Sequence, residues 1–165
     1  MVTLQSKTYK ASDLKLSLIL ASTTKVNMLK VSKKFDLYVS PNIRKDDTAC
    51  RLANEMLSDP IEIVSRLSKP ELQILHEFIT GDDTTYVVRP IRKTPYILQK
   101  YYLVATYCDE KRHEWHMLMP SDIRDSLATV YMTYYNLALQ GKKGPSAKEL
   151  RLLSFITEMY EEDED

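Results

Sequence analysis

The sequence predicts a mainly helical α+β protein, built of small helical modules with one β-hairpin near its middle and two C-terminal helices. Three observations predict it. Helix-capping residues stand directly ahead of several apolar stripes of period 3.6. Two apolar segments flank the polar stretch 109–113 and alternate with period two. The 165 residues are 44% hydrophobic and 28% charged with only 3 Gly, a globular composition.

In chain order, Ser12 and Asp13 precede the apolar run 14–21, which fits a buried helix or a short strand, helix being preferred. Thr24 caps a second helix, 25–34, with Met28, Val31 and Phe35 on one face and Lys25, Lys30, Lys33 and Lys34 on the other. The stretch 36–42, containing Tyr38, Val39, Ser40, Pro41 and Asn42, should be extended. A third helix, 46–57, has Ala49, Leu52, Ala53 and Met56 on one side, and Asp46 and Asp47 at the positive end of its dipole. Asp59, Pro60 and Glu62 form a capping-box start for a short helix to 67. Ser68 and Glu71 repeat the device for a helix carrying Leu72, Leu75, Phe78 and Ile79, which stops at Gly81, a residue free to take a left-handed cap.

The β-branched and aromatic run 84–88 is strand-like, with Pro90 limiting it. A short helix follows from Thr94 and Pro95 to about 102. The hairpin pairs 103–108 with 114–119 and sets Trp115, Met117 and Met119 on one face. A long helix, 121–140, ends at Gly141. Ser146 and Glu149 then box the start of a last helix bearing Leu150, Leu153, Ile156 and Tyr160. The expected organisation is a basic helical module (1–57), a second module (58–120), a C-terminal helical pair packing on the rest (121–160) and an unstructured acidic tail (161–165).

Cys50 and Cys108 show neither CxxC spacing nor the density of a disulfide scaffold, and are expected to be reduced, buried thiols. No run resembles a signal peptide or a membrane span, so the expected location is cytoplasmic, with no membrane partner. Net charge is zero, but residues 1–45 hold nine Lys or Arg against two Asp, while 161–165 are all acidic. Such segregation fits an anionic partner.

Residues 24–57 read as basic helix, extended segment, second helix, with Phe35-Asp-Leu-Tyr and Arg44-Lys-Asp-Asp-Thr-Ala at the junctions. This order resembles the helix-extended-loop-helix motif of SAP domains and of the N-terminal domain of the Rho termination factor, which implies binding to DNA or RNA. Residues 60–119 resemble a winged-helix arrangement: two short helices, a third entering a hairpin at Leu103-Val104, and a basic tip at Lys111-Arg112. That resemblance implies a third helix that reads the groove and a wing on the phosphates.

Chemistry-bearing motifs are sparse. Gly141-Lys-Lys-Gly-Pro-Ser lacks P-loop spacing and reads as a helix break. Cys108, His113 and His116 have metal-ligand chemistry but not the spacing for it, and no catalytic set of nucleophile and base stands out. His76 reads as a partly buried packing residue. The expectation is therefore a protein that is no enzyme, needs no cofactor and takes no small-molecule substrate. It is expected to associate with nucleic acid, with transcriptional regulation as the role this suggests, through Lys30, Lys33, Lys34, Arg44, Lys45, Arg92, Lys93, Lys100, Lys111 and Arg112. The alternative is a protein–protein interaction module.

Overall fold

The computed structural model describes residues 2–4, 7–40 and 42–163, with side chains described through Tyr160. It is an α+β structure. The chain opens on a small antiparallel ribbon, β1 (Val2–Leu4) and β2 (Lys7–Tyr9). Strands of three residues carry too little alternation to be read from sequence, and this ribbon was not expected. The helices α1 (Leu16–Ala21), α2 (Lys25–Lys34), α3 (Lys45–Ser58), α4 (Pro60–Val64) and α5 (Lys69–Thr80) follow. Then come β3 (Tyr86–Pro90), α6 (Ile97–Lys100), β4 (Ala105–Asp109), β5 (Glu114–Leu118), α7 (Ser121–Ala128), α8 (Tyr131–Leu139) and α9 (Ala147–Asp163).

The expected hairpin is present and gains a third strand: the antiparallel order is β3-β5-β4, with Val87 opposite Met117 and Cys108 opposite Trp115. Trp115, Met117 and Met119 are buried, as the alternation predicted. One apolar cluster runs from Leu16 to Ala138 and draws on all three expected modules. Phe78, Leu20, Leu52, Ile63, Ile74 and Leu98 are fully enclosed in it, and each such side chain contributes roughly 1.5–3 kcal/mol. A second cluster of Val2, Leu14, Ile19 and Leu118 seats the N-terminal ribbon on the sheet. Among the described residues, no helix is long and apolar enough to cross a membrane.

Several local expectations are corrected. The helix foreseen over 121–140 is two, α7 and α8, because Val130 leaves helical geometry (φ −130°, ψ −11°). The Thr129 hydroxyl donates to the Ser126 carbonyl at 2.7 Å, and the amides of Thr129 and Val130 bond three residues back, which tightens and ends the turn. Asp59 does not cap α4; it faces Arg151 of α9 at 3.1 Å. Gly81 ends α5 in extended rather than left-handed geometry. Cys50 and Cys108 are exposed: Cys50 lies opposite the buried face of α3, and Cys108 sits on the edge strand β4. Residues 161–163 continue α9 instead of forming a loose tail. Glu164 and Asp165 lie outside the described residues, as does Pro41 of the stretch expected to be extended.

Other caps are as read. Thr24 accepts the Asn27 amide at 3.2 Å, and Ser146 and Glu149 exchange bonds of 3.2 and 3.1 Å at the start of α9. His76 is half-buried, stacked on Tyr135 at 4.2 Å and bonded to the Tyr131 hydroxyl at 3.1 Å.

Candidate functional site

Three sequence-distant segments meet to form a groove of about 1130 Å³ between the α4–α5 corner and the α8–α9 loop. Its floor is apolar, with Leu67, Leu72, Tyr134, Ala138 and Ala147 all buried. Its walls carry six cationic side chains, Arg66, Lys69, Lys142, Lys143, Lys148 and Arg151, against two carboxylates, Asp36 and Glu62.

Local chemistry fixes that loop. At the end of α8, the amide of Lys142 reaches the Leu137 carbonyl at 2.8 Å and that of Gly141 the Ala138 carbonyl at 3.0 Å, a Schellman closure with Gly141 at φ +71°. Gly144 lies against the Tyr134 ring, so that a Cβ there would come within 2.4 Å of it. The Tyr134 hydroxyl donates to the Pro145 carbonyl at 2.6 Å. Burial, with Glu149 beside it, raises the ionisation of that phenol above its usual range, so it stays a neutral donor. Gly144→Ala should therefore lower stability by about 1–3 kcal/mol, as overpacking does, read as a fall in the urea midpoint.

The cations differ in what holds them. Glu62 engages Arg66 at 3.6 Å and Arg151 at 2.9 Å, so these two guanidinium groups frame the groove under constraint. The amino groups of Lys69, Lys142, Lys143 and Lys148 form no ion pair among the described residues. Two helices of useful length, α5 and α9, also begin at the groove, the first turn of each closed by its own capping box, Ser68–Glu71 and Ser146–Glu149. The arrangement is chemically suited to multiply charged anions, and to phosphate in particular.

None of the ten basic residues singled out from sequence lines this groove; they fall in four places. Lys30, Lys33 and Lys34 are exposed on α2. Lys34 lies 5.4 Å from the Tyr101 ring centre, and Tyr101 meets Phe35 edge-on at 4.8 Å. Arg66 covers the Phe35 ring at 4.9 Å, so this aromatic pair joins the basic end of α2 to the groove wall. Arg44 is exposed and Lys45 half-buried where α3 begins. Arg92 sits over Tyr96 at 3.7 Å and, with Lys100, acts electrostatically on Glu71; Lys93 is exposed nearby. Lys111 and Arg112 are exposed in the hairpin turn, their amides bonded to Asp109 at 3.1 and 3.2 Å.

In the sequence, Lys142 and Lys143 lie in a segment that reads only as a helix break. That reading of the backbone is right. What local sequence cannot convey is that Arg66 and Lys69, over seventy residues earlier, stand across from them.

The Cys108, His113 and His116 set is not assembled: Cys108 and His116 point to opposite sheet faces, and His113 is in the turn at φ +55°. His116 instead faces Glu114 at 3.5 Å and Asp109 at 4.0 Å, and these three donors are the described group closest to metal-ligand spacing. No protein-family model, no curated protein and no solved structure matches the chain.

Proposed function

We propose that this chain is a non-enzymatic nucleic-acid-binding protein that holds phosphate backbone in the basic groove between α4–α5 and α8–α9. The observation that carries the reading is the convergence, on one concave surface, of six cationic side chains, four of them lysines that form no ion pair among the described residues. Counterion release from such a surface supplies affinity without sequence readout. In this reading the SAP-like segment 24–57 extends the surface through Lys33 and Lys34. The winged-helix-like segment 58–120 adds Lys111 and Arg112 at its tip. Tyr38, 88% exposed and two residues beyond Asp36 of the groove wall, offers a stacking face for an unpaired base.

The experiment is a titration of fluorescently labelled single- and double-stranded DNA and RNA at about 50 and 200 mM salt. Binding that weakens steeply with salt supports the proposal. No binding at tens of micromolar, roughly the affinity of non-specific contact, sinks it.

Asp36 gives a second handle. It occupies the left-handed position closing α2 at φ +53°, with the Leu37 amide bonded to the Ser32 carbonyl at 2.9 Å. Asp36→Gly relieves that conformation and removes an acid from the groove. Expected are a gain of about 0.5–1 kcal/mol in unfolding free energy and roughly threefold tighter oligonucleotide binding at low salt.

A further inference from the structure

We propose that α9 is a self-association helix, pairing antiparallel with α9 of a second copy of this chain. A surface helix normally turns its apolar stripe to the core and its polar side to water. In α9 the order is reversed. Ala147 is buried, Leu150 is half-buried and Arg151 bonds Asp59 and Glu62, so this edge faces α4. Leu152, Leu153, Ile156, Met159 and Tyr160 fall within one arc of about 120° on the other side, at 100° per residue. Phe155 borders that arc, and the six expose 39–69% of their surface.

Two features point to a second copy as the occupant. The first is charge: Glu158, Glu161, Glu162 and Asp163 crowd the C-terminal turns of α9, whereas its N-terminal turns mix Lys148 and Arg151 with Glu149. Parallel pairing would stack the two acidic C-terminal ends on each other, whereas antiparallel pairing sets each of them beside the mixed-charge N-terminal end of the other copy. The second is area. Six side chains of this size and exposure present roughly 600 Å² per copy, hence about 1,200 Å² for a pair, the lower edge of specific stable interfaces. The stripe is centred near Ile156, which places that residue on the two-fold axis. Because the N-terminal end of α9 lines the basic groove, the pair would carry two grooves at opposite ends of a helix about 25 Å long.

Two measurements test this on the full chain. In sedimentation velocity from micromolar to about 100 µM, the wild type should reach a dimer. Ile156→Glu, at an exposed position that leaves the fold intact by circular dichroism, should weaken the dimer on the order of 100-fold. In a Cys50→Ser, Cys108→Ser background, Ile156→Cys should cross-link two copies on mild oxidation and Lys148→Cys should not. A wild type still monomeric at the highest concentration overturns the proposal, as does a dimer indifferent to Ile156→Glu. Cross-linking at Lys148→Cys overturns the antiparallel arrangement.

Discussion

Replacing Lys142, Lys143 and Lys148 together by Glu should reduce oligonucleotide affinity at least about 100-fold at low salt, with no change in thermal unfolding. All three side chains are exposed and none is in an ion pair among the described residues, so the fold loses nothing when they change sign. The loss falls on the ligand alone. Each phosphate contact removed should flatten the dependence of log affinity on log salt, by about 2 in all for single strands and about 3 for duplex. Neutralising Lys33, Lys34, Arg44 and Lys45 should have a smaller effect. Of these four only Lys34 stands against the aromatic pair that joins the groove wall, and Arg44 and Lys45 lie at the far end of the extended segment. A four-residue effect larger than the three-residue one would move the interface to the N-terminal module.

Glu71→Ala should cost about 2 kcal/mol of unfolding free energy or more. Glu71 is 2% exposed, and its carboxylate accepts the Ser68 amide at 3.4 Å and the Ile97 amide, the first free donors of α5 and α6. Truncation leaves both donors without an acceptor inside the protein, alongside a cavity. Opposing this, burial raises the pKa of Glu71 above 4.5 despite these bonds and the charges of Arg92 and Lys100. Charging the carboxyl is thus dearer in the folded state than in the unfolded chain.

The sign follows. Below pH about 4.5 the group is protonated in both states and its contribution to stability is whole. As pH rises, the unfolded chain ionises first, and that contribution declines until pH exceeds the raised folded value. Glu71→Gln keeps the volume and one acceptor oxygen without the charge. The wild type should therefore lose ground to Glu71→Gln between pH 4 and 7, measured by urea unfolding at each pH. An unchanged difference across that range would mean that Glu71 is not desolvated. Asp122, also pushed upward by burial, titrates in both proteins and cancels in the comparison.

Glu71 also shows what the sequence conveys about this fold and what it conceals. The Ser68–Glu71 box is a spacing of three residues and is legible as such. That the same carboxylate serves α6, 26 residues on, is tertiary and leaves no local trace. Asp122 of α7 likewise accepts the Leu16 amide at the start of α1, at 3.2 Å, across 106 residues. Helices opened by their own neighbours, such as α2 and α9, begin where the sequence puts their caps, whereas α1, whose acceptor comes from elsewhere, reads as ambiguous between helix and strand.

The groove is illegible for the same reason. The excess of positive charge in 1–45 is a property of a segment, but folding spreads those side chains over several surfaces. The concentrated patch arises where 66–69 meets 142–151, two stretches unremarkable alone. The stripe of α9 was read with the correct period, yet period does not say which way a face turns, and among its expected members only Leu150 is even half-buried.

The most direct test of the groove is amide hydrogen exchange of the full chain with and without a short single-stranded oligonucleotide at low salt. Protection concentrated in 65–69 and 141–151, with a weaker effect at the end of α2, is the predicted result. Protection confined to 109–113 and 25–45, with 141–151 unchanged, would contradict the assignment of the groove as the phosphate-binding surface.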